Sequence, residues 1–206
     1  LSVFDKRAKQ WDGKSRRVQL AADVVKGIIE RGQIRQGASV TDFGTGTGLI
    51  LLGLSEIAGK MTGLDSSKEM LSVLEEKAKE AGIENLETRV FDIDTDEFEP
   101  ESTEYVVASM VTHHLEHPEM FLEKAFRGLV KGGKICFADL IEEDGSFHDS
   151  PDIHVKHHGF SLEWVEQNLR KAGFSNIHAA PVTEVVKEKD GEEKAFPVFL
   201  AVAEKI

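Results

Sequence analysis

Histidines and aspartates are placed in this chain where chemistry would need them. Seven of the eight histidines fall between His113 and His158. They form two groups: His113, His114 and His117, then His148, His154, His157 and His158. Imidazole changes charge near neutral pH, so such groups handle protons, anchor substrates or ligate metals. Upstream, Asp42-Phe43-Gly44-Thr45-Gly46-Thr47-Gly48 sets three glycines at alternate positions behind an acid. Glycine accepts positive φ and lets a ligand approach the backbone closely. Further acids, Asp65, Asp92 and Asp139, stand at or near the ends of apolar runs, as does Ser109.

The glycine stretch lies between a strand-like run at 38–43 and a helix-like run at 48–57. A strand, a tight turn and a helix start offer N–H groups and a positive dipole end to an anion. Two phosphate loops fail on spacing. The dinucleotide fingerprint needs a glycine at 49, where Leu49 stands, and the P-loop needs a Lys that is absent. No basic residue lies between Thr41 and Gly59. A ligand with a carboxylate and an ammonium fits better, with the turn's N–H groups holding the first and Asp42 the second. The plain alternative is a tight turn with no ligand.

The flanking elements follow from periodicity and stop signals. Helices are expected at 2–12, carrying Phe4 and Trp11, and at 15–31, with Val18, Ala21, Ala22, Val25, Ile28 and Ile29 on one face. Strands are expected at 38–43, 60–64, 86–91, 105–110 and 134–140. Helices at 48–57, at 67–81, after Pro118 and at 161–172 alternate with them. Ser161 caps the last helix, and Ser66-Ser67-Lys68-Glu69 reads as a capping box. Two β-prone runs, 177–187 and 195–203, are split by the hairpin signal Asp190-Gly191. This alternation predicts one doubly wound α/β domain over 1–206 with a mostly parallel sheet.

In open α/β sheets ligands lie beyond the carboxyl ends of the strands. Asp65 stands 17 residues after Gly48, near the offset at which an acid grips ribose hydroxyls. It could instead cap the helix that follows. Ribose is preferred because Ser66 already offers a cap.

With these residues in place, the chain resembles the class I S-adenosylmethionine-dependent methyltransferases. The resemblance runs through the glycine loop, Gly63-Leu64-Asp65, Phe91-Asp92-Ile93 and the Lys131-Gly132-Gly133 turn. It implies a seven-stranded Rossmann-like methyltransferase fold ending in an antiparallel β-hairpin. It also implies that S-adenosyl-L-methionine is the cofactor. Asp42, Gly44, Thr45, Gly46 and Gly48 would cradle its methionine end, with Asp65, Ser66 and Met70 around the ribose. Asp92 would accept from the adenine amino group and Ile93 would pack the ring, although Asp92 also begins a run of acids that reads as a solvated loop. Ser109 would stand near the methyl. Residues 1–32 resemble a helical lid over a catalytic core at 38–206. There Trp11 either closes the site or packs the lid on the core.

Methyl transfer from a sulfonium is an in-line displacement with a neutral leaving thioether, so alignment supplies much of the rate. An acceptor hydroxyl or ammonium needs a base, and His114 is placed first, as base or substrate anchor, with His113 second. His148, His157, His158 and Asp139 are candidate acceptor-pocket residues. No metal is assigned. The metal alternative would join His113, His117 and a histidine of the second group with Asp139 or Glu143. His178, on a strand, is read as structural. The acidic stretch from Glu142 to Asp144 reads as a solvated loop in preference to an attractor of amines.

Net charge is −12, which disfavours nucleic acid substrates. Cys136 is the only cysteine, so no internal disulfide and no thiol chemistry is expected. No run of ~20 apolar residues suggests a membrane span. The first residues do not resemble a signal peptide, and a cytoplasmic monomer or homodimer is the expectation. Ser109-Met110-Val111-Thr112 stands where base- and glutamine-modifying relatives carry Asn-Pro-Pro-Tyr, so the acceptor is expected to be a small molecule. The rival readings are an NAD-dependent oxidoreductase, against which Leu49 speaks, and a non-catalytic S-adenosylmethionine-binding regulatory protein.

Overall fold

The computed structural model describes residues 3–148, 155–189 and 191–206. His154 and Asp190 lie outside the described residues. A short helix α1 (Val3–Arg7) and a 3-10 turn (Ala8–Gly13) precede α2 (Ser15–Gly32). Then come β1 (Ser39–Phe43), α3 (Leu49–Gly53), β2 (Lys60–Asp65), α4 (Lys68–Glu80), β3 (Leu86–Val90) and β4 (Thr103–Ser109). A 3-10 turn (Thr112–His114) leads to α5 (Pro118–Gly128), β5 (Leu129–Leu140), α6 (Leu162–Lys171), β6 (Ser175–Lys189) and β7 (Glu192–Glu204).

The strands form one seven-stranded sheet in the order β3-β2-β1-β4-β5-β7-β6. The first five are parallel, and β7 runs antiparallel between β5 and β6. Alternate side chains feed two cores, as the period of a strand requires. Tyr105, Val107, Cys136, Ala138, Val198 and Leu200 face α2 and α3. Val106, Ala108, Ile135, Phe137, Phe199 and Ala201 face α5 and α6. On the second side Phe43 stacks on Phe121 at 4.7 Å and meets Phe91 edge-on at 6.0 Å. The chain order reverses between β1 and β4, so a crevice opens beyond their carboxyl ends.

The N-terminal segment divides into two parts. Residues 3–13 reach over the crevice, while α2 is a layer of the core with Val24 and Ile28 fully buried. Gly27 allows that packing, since a Cβ there would lie 2.5 Å from Val182. The helix after the glycine turn is shorter than its apolar run implies. It holds five residues, and beyond it the Ser55 hydroxyl donates back to the Leu52 carbonyl at 2.7 Å. Helix α4 is capped by Ser67 rather than Ser66, its Oγ accepting from Met70 N at 3.2 Å. Among the described residues no helix is long and apolar enough to cross a membrane.

Candidate functional site

A cleft of about 810 Å³ lies over the carboxyl ends of β1, β2 and β4. Its wall includes Asp42, Gly44, Thr45, Gly46, Asp65, Ser66, Met70, Asp92, Ile93, Ser109 and Trp11. His113, His114 and His148 line it too. Gly48, Asp139, His157 and His158 do not.

The three glycines serve different ends. All have positive φ, at 68° for Gly44, 53° for Gly46 and 80° for Gly48. A Cβ on Gly44 would lie 2.3 Å from Val111, and one on Gly48 would lie 2.2 Å from Leu74. Those two glycines therefore let neighbouring elements close in. Around a Cβ on Gly46 nothing lies within 4 Å, so its bare backbone faces open space in the cleft.

The turn's amides are largely engaged within the protein. Gly44 N and Thr45 N donate to the Leu64 carbonyl at 2.8 and 3.0 Å, and Gly48 N donates to Thr45 O at 2.8 Å. Asp65 accepts from Gly46 N and from Ser67 N, both at 2.8 Å. Its carboxylate thus splices the turn to α4, and burial raises its pKa against those bonds. A carboxylate has about four acceptor sites, so these bonds leave it capacity for a hydroxyl. The expected anion site on the turn's N–H groups is accordingly mostly filled. Cations that the spacing of the loop did not disclose stand in the same wall: Arg7, Lys14, Arg16 and Arg17. Arg17 donates to Trp11 O at 3.0 Å and lies over the indole at 3.7 Å. Burial, then the charges of Arg7 and Arg16, lower its pKa against Asp12.

Asp42 is 1% exposed, and its Oδ2 has no hydrogen-bond partner. Burial pushes its pKa up to about 7, helped by the Asp65 charge and opposed by the nearby Thr45 hydroxyl. An orphaned buried carboxylate oxygen beside a ligand cleft suits an ammonium. Asp92 is exposed, and its Oδ1 accepts from Asp94 N at 3.0 Å, as in a turn that closes on itself. Ile93 is buried beside it, its carbonyl held by Lys124 at 2.7 Å.

The N-terminal segment is latched over this end. Thr47 Oγ1 donates to Asp12 at 2.6 Å, and the Lys77 ammonium meets Asp12 and the Thr47 carbonyl at 2.8 Å each. Ser67 donates to Asp5. Phe4 lies 5.9 Å from Trp11 and 5.4 Å edge-on from His114, so it bridges to the other end of the cleft.

That other end is built from β4, β5 and the loop after β5. Met110, at the end of β4, adopts φ 56° and donates its N–H to Ala138 O at 2.9 Å. A non-glycine residue there is uncommon. The bend sends Val111 onto Gly44 and turns Thr112–His114 inward. His113 is 1% exposed, and its Nδ1 lies 2.6 Å from Asp139 Oδ1. Asp139 is fully buried and also accepts from Thr112, from His113 N at 3.1 Å and from Leu140 N at 2.8 Å. Burial alone would raise its pKa, but the His113 charge and these bonds outweigh it and hold the carboxyl below its ordinary range. Asp139 thus stands behind His113 and does not line the cleft, against the expectation for it. With Nδ1 turned to Asp139, His113 Nε2 is the outward ring nitrogen, and that atom is buried without a partner.

The two histidine groups do meet, but selectively. His148 lies 5.1 Å from His113 and 5.5 Å from His114, ring to ring. Burial first, then the charges of His113, His114 and Lys187, push His148 down to about 3, against Asp139. His157 joins only through its backbone N, which donates to His113 O at 3.1 Å, and its ring packs on Phe160. His158 is exposed, 3.8 Å from Glu143. Neither lines the cleft, against the expectation for them. His117 is exposed beside Glu119 at 3.3 Å, and Glu143 accepts from Phe147 N at 3.1 Å, so the quartet of the metal alternative does not assemble. His178 is exposed on β6, far in the sheet order from β1. Lys187, from the same strand, is 8% exposed and lines the cleft, its ammonium donating to Phe147 O. Its signal in the sequence was a lysine in phase with buried Val185. Burial pushes the Cys136 thiol up to about 12, away from nucleophilic use.

Residues 41–137 match the model of a methyltransferase domain. An uncharacterised methyltransferase of Schizosaccharomyces pombe is 32% identical over 156 residues, 69% of this chain. The chain spans 55% of that relative's length. Among solved structures, a chain in the complex of the Haloferax volcanii Trm112 methyltransferase activator with a methyltransferase has a TM-score of 0.81 at 21% identity, covering 99% of this chain and 98% of its own. A SAM-dependent methyltransferase from Aquifex aeolicus has a TM-score of 0.72 at 21% identity, covering 98% of both chains. With the strand order, the glycine cradle and the acids at the strand ends, these matches lead to one assignment: the chain belongs to the class I S-adenosylmethionine-dependent methyltransferases.

Proposed function

We propose that this protein transfers the methyl group of S-adenosylmethionine to a small-molecule acceptor held at the His113–His114–His148 end of the cleft. One observation carries the reading. A single cleft has a buried, unpartnered oxygen of Asp42 in one wall and a buried, unpartnered nitrogen of His113 in another. Its volume, about 810 Å³, lies within the ~300–1,000 Å³ of ligand sites and leaves room for a second molecule.

Asp42 takes the cofactor's ammonium and Arg17 its carboxylate. Asp65 takes the ribose hydroxyls through its remaining acceptor capacity, with Ser66 and Met70 alongside. Asp92 and Ile93 take the adenine. Trp11 and Phe4 cover the cofactor and exclude water, and Ser109 stands near the sulfonium. The histidines then anchor the acceptor and prepare its nucleophilic atom for in-line attack on the methyl carbon. A net charge of −12 favours a metabolite over nucleic acid.

Calorimetry with S-adenosylmethionine and with NAD⁺ tests the cofactor, and saturable binding of the first alone is expected. Preferential NAD⁺ binding would overturn the reading. Transfer of labelled methyl across a panel of hydroxyl and amine metabolites tests the reaction. Tight cofactor binding with no turnover on the whole panel would favour a regulatory protein.

A further inference from the structure

We propose that His113, His114 and His148 bind one divalent transition metal ion, of the Zn²⁺ type, whose open position takes the hydroxyl oxygen of the methyl acceptor. The proposal rests on the reading that the acceptor lies at this end of the cleft, and it names how the histidines hold it.

Ring nitrogens of these three residues all lie within 4.8 Å of one another. Tetrahedral zinc with nitrogens at ~2.0–2.1 Å sets its ligands roughly 3.4 Å apart, within reach of small ring rotations. The cluster does not rest on proximity alone. His113 is 1% exposed, and its Nε2 is buried with no hydrogen-bond partner. Its Nδ1 is tied to Asp139, which leaves Nε2 as the nitrogen that can meet an ion once the ring is neutral. Asp139 is in turn fixed by Thr112, His113 N and Leu140 N. A carboxylate bonded to the far nitrogen of an imidazole is the arrangement that orients metal-ligating histidines and raises their basicity.

Three neutral imidazoles and one open position are the donor set of a catalytic zinc site. Lys187 shares the wall, but its ammonium donates to the Phe147 carbonyl and lies over the Phe147 ring at 3.7 Å. The chemistry balances without another reagent. An acceptor hydroxyl that binds the ion releases its proton to water. Its oxygen lone pair then forms the O–CH₃ bond as the S–CH₃ bond breaks, and the bonding pair of S–CH₃ stays on sulfur, which leaves as a neutral thioether.

The test uses untagged full-length protein stripped with chelator. It is titrated with Zn²⁺ by calorimetry and with Co²⁺ by visible absorption, and S-adenosylhomocysteine binding is measured on the same preparations. One ion per chain is expected, with the intense bands of tetrahedral Co²⁺. His148→Ala and Asp139→Asn should each weaken Zn²⁺ binding by about 10- to 100-fold. His117→Ala and His178→Ala should leave it unchanged. Circular dichroism and S-adenosylhomocysteine binding establish that each variant is folded. A wild-type protein that binds S-adenosylhomocysteine but no Zn²⁺ overturns the metal site and spares the methyltransferase reading. Zn²⁺ binding that persists unchanged in both His114→Ala and His148→Ala also overturns it. Zn²⁺ binding that depends on these histidines in a protein without cofactor affinity supports the site and sinks the cofactor reading instead.

Discussion

The two ends of the cleft are built on opposite plans. At the cofactor end the polar groups are mostly spliced to each other. Asp65 joins Gly46 to Ser67, Leu64 O holds two amides of the turn, and Lys77 with Asp12 clamps Thr47. At the acceptor end one elaborate support, Asp139, holds a single imidazole whose outer nitrogen has no partner. The first plan makes a rigid saddle for a ligand of fixed shape. On the proposed reading, the second keeps one nitrogen open toward a space whose occupant changes during turnover. Binding and chemistry should therefore separate when each end is altered alone.

The largest separation is expected at the acceptor end. His113→Ala should lower kcat by ~10²–10⁴-fold, the range of a lost proton-handling or acceptor-activating group, with cofactor affinity unchanged. Single-turnover kinetics beside calorimetry would check this, and parallel loss of cofactor affinity would merge the two ends. At the cofactor end the order reverses. Asp42→Asn should weaken S-adenosylhomocysteine binding by about 10- to 100-fold, the size of a lost charged hydrogen bond.

The same carboxyl gives a pH signature. Its folded pKa of about 7 lies above the ordinary carboxyl value, so it favours the empty folded state at low pH. That stabilising contribution is full below the unfolded pKa of about 4 and is lost as pH rises through about 7. An ammonium ligand needs the ionised form. Cofactor affinity should thus fall about tenfold per pH unit below 7, and Asp42→Asn should flatten the profile. A wild-type profile flat from pH 6 to about 8 would remove the ammonium from Asp42. The smallest effect is expected at the latch. Lys77→Met should speed cofactor release by about two- to fivefold in stopped-flow, since a solvent-accessible ion pair contributes under ~1 kcal/mol.

The contrast also explains what the sequence could disclose. The cofactor end is local: Asp42 and its glycines fall within seven residues, and Asp65 and Asp92 follow at strand ends. Spacing and strand periodicity were enough to place them beside one cleft. Even there, Ser66 and Ser67 offer identical side chains, and only the backbone decides that Ser67 is the cap. The apolar run after Gly48 hid the early end of α3, because residues beyond it are buried without being helical. At the acceptor end Asp139 meets His113 across 26 positions, and the pairing of β4 with β5 brings them together. The histidine groups were legible as a concentration of one residue type, but their sorting was not. Whether a ring faces the cleft, as in His148, or Phe160, as in His157, depends on the fold of a loop without periodicity. Lys187 and Arg17 enter from a hairpin and a helix that the pattern assigned to scaffold and lid.

A crystal structure with bound S-adenosylhomocysteine tests the central claim most directly. The account predicts the amino-acid end between Asp42 and Arg17, the sugar at Asp65, the base at Asp92 and Ile93, and the sulfur facing His113, His114 and His148. A cofactor lying with its adenine among those histidines, or bound outside this cleft, would contradict it.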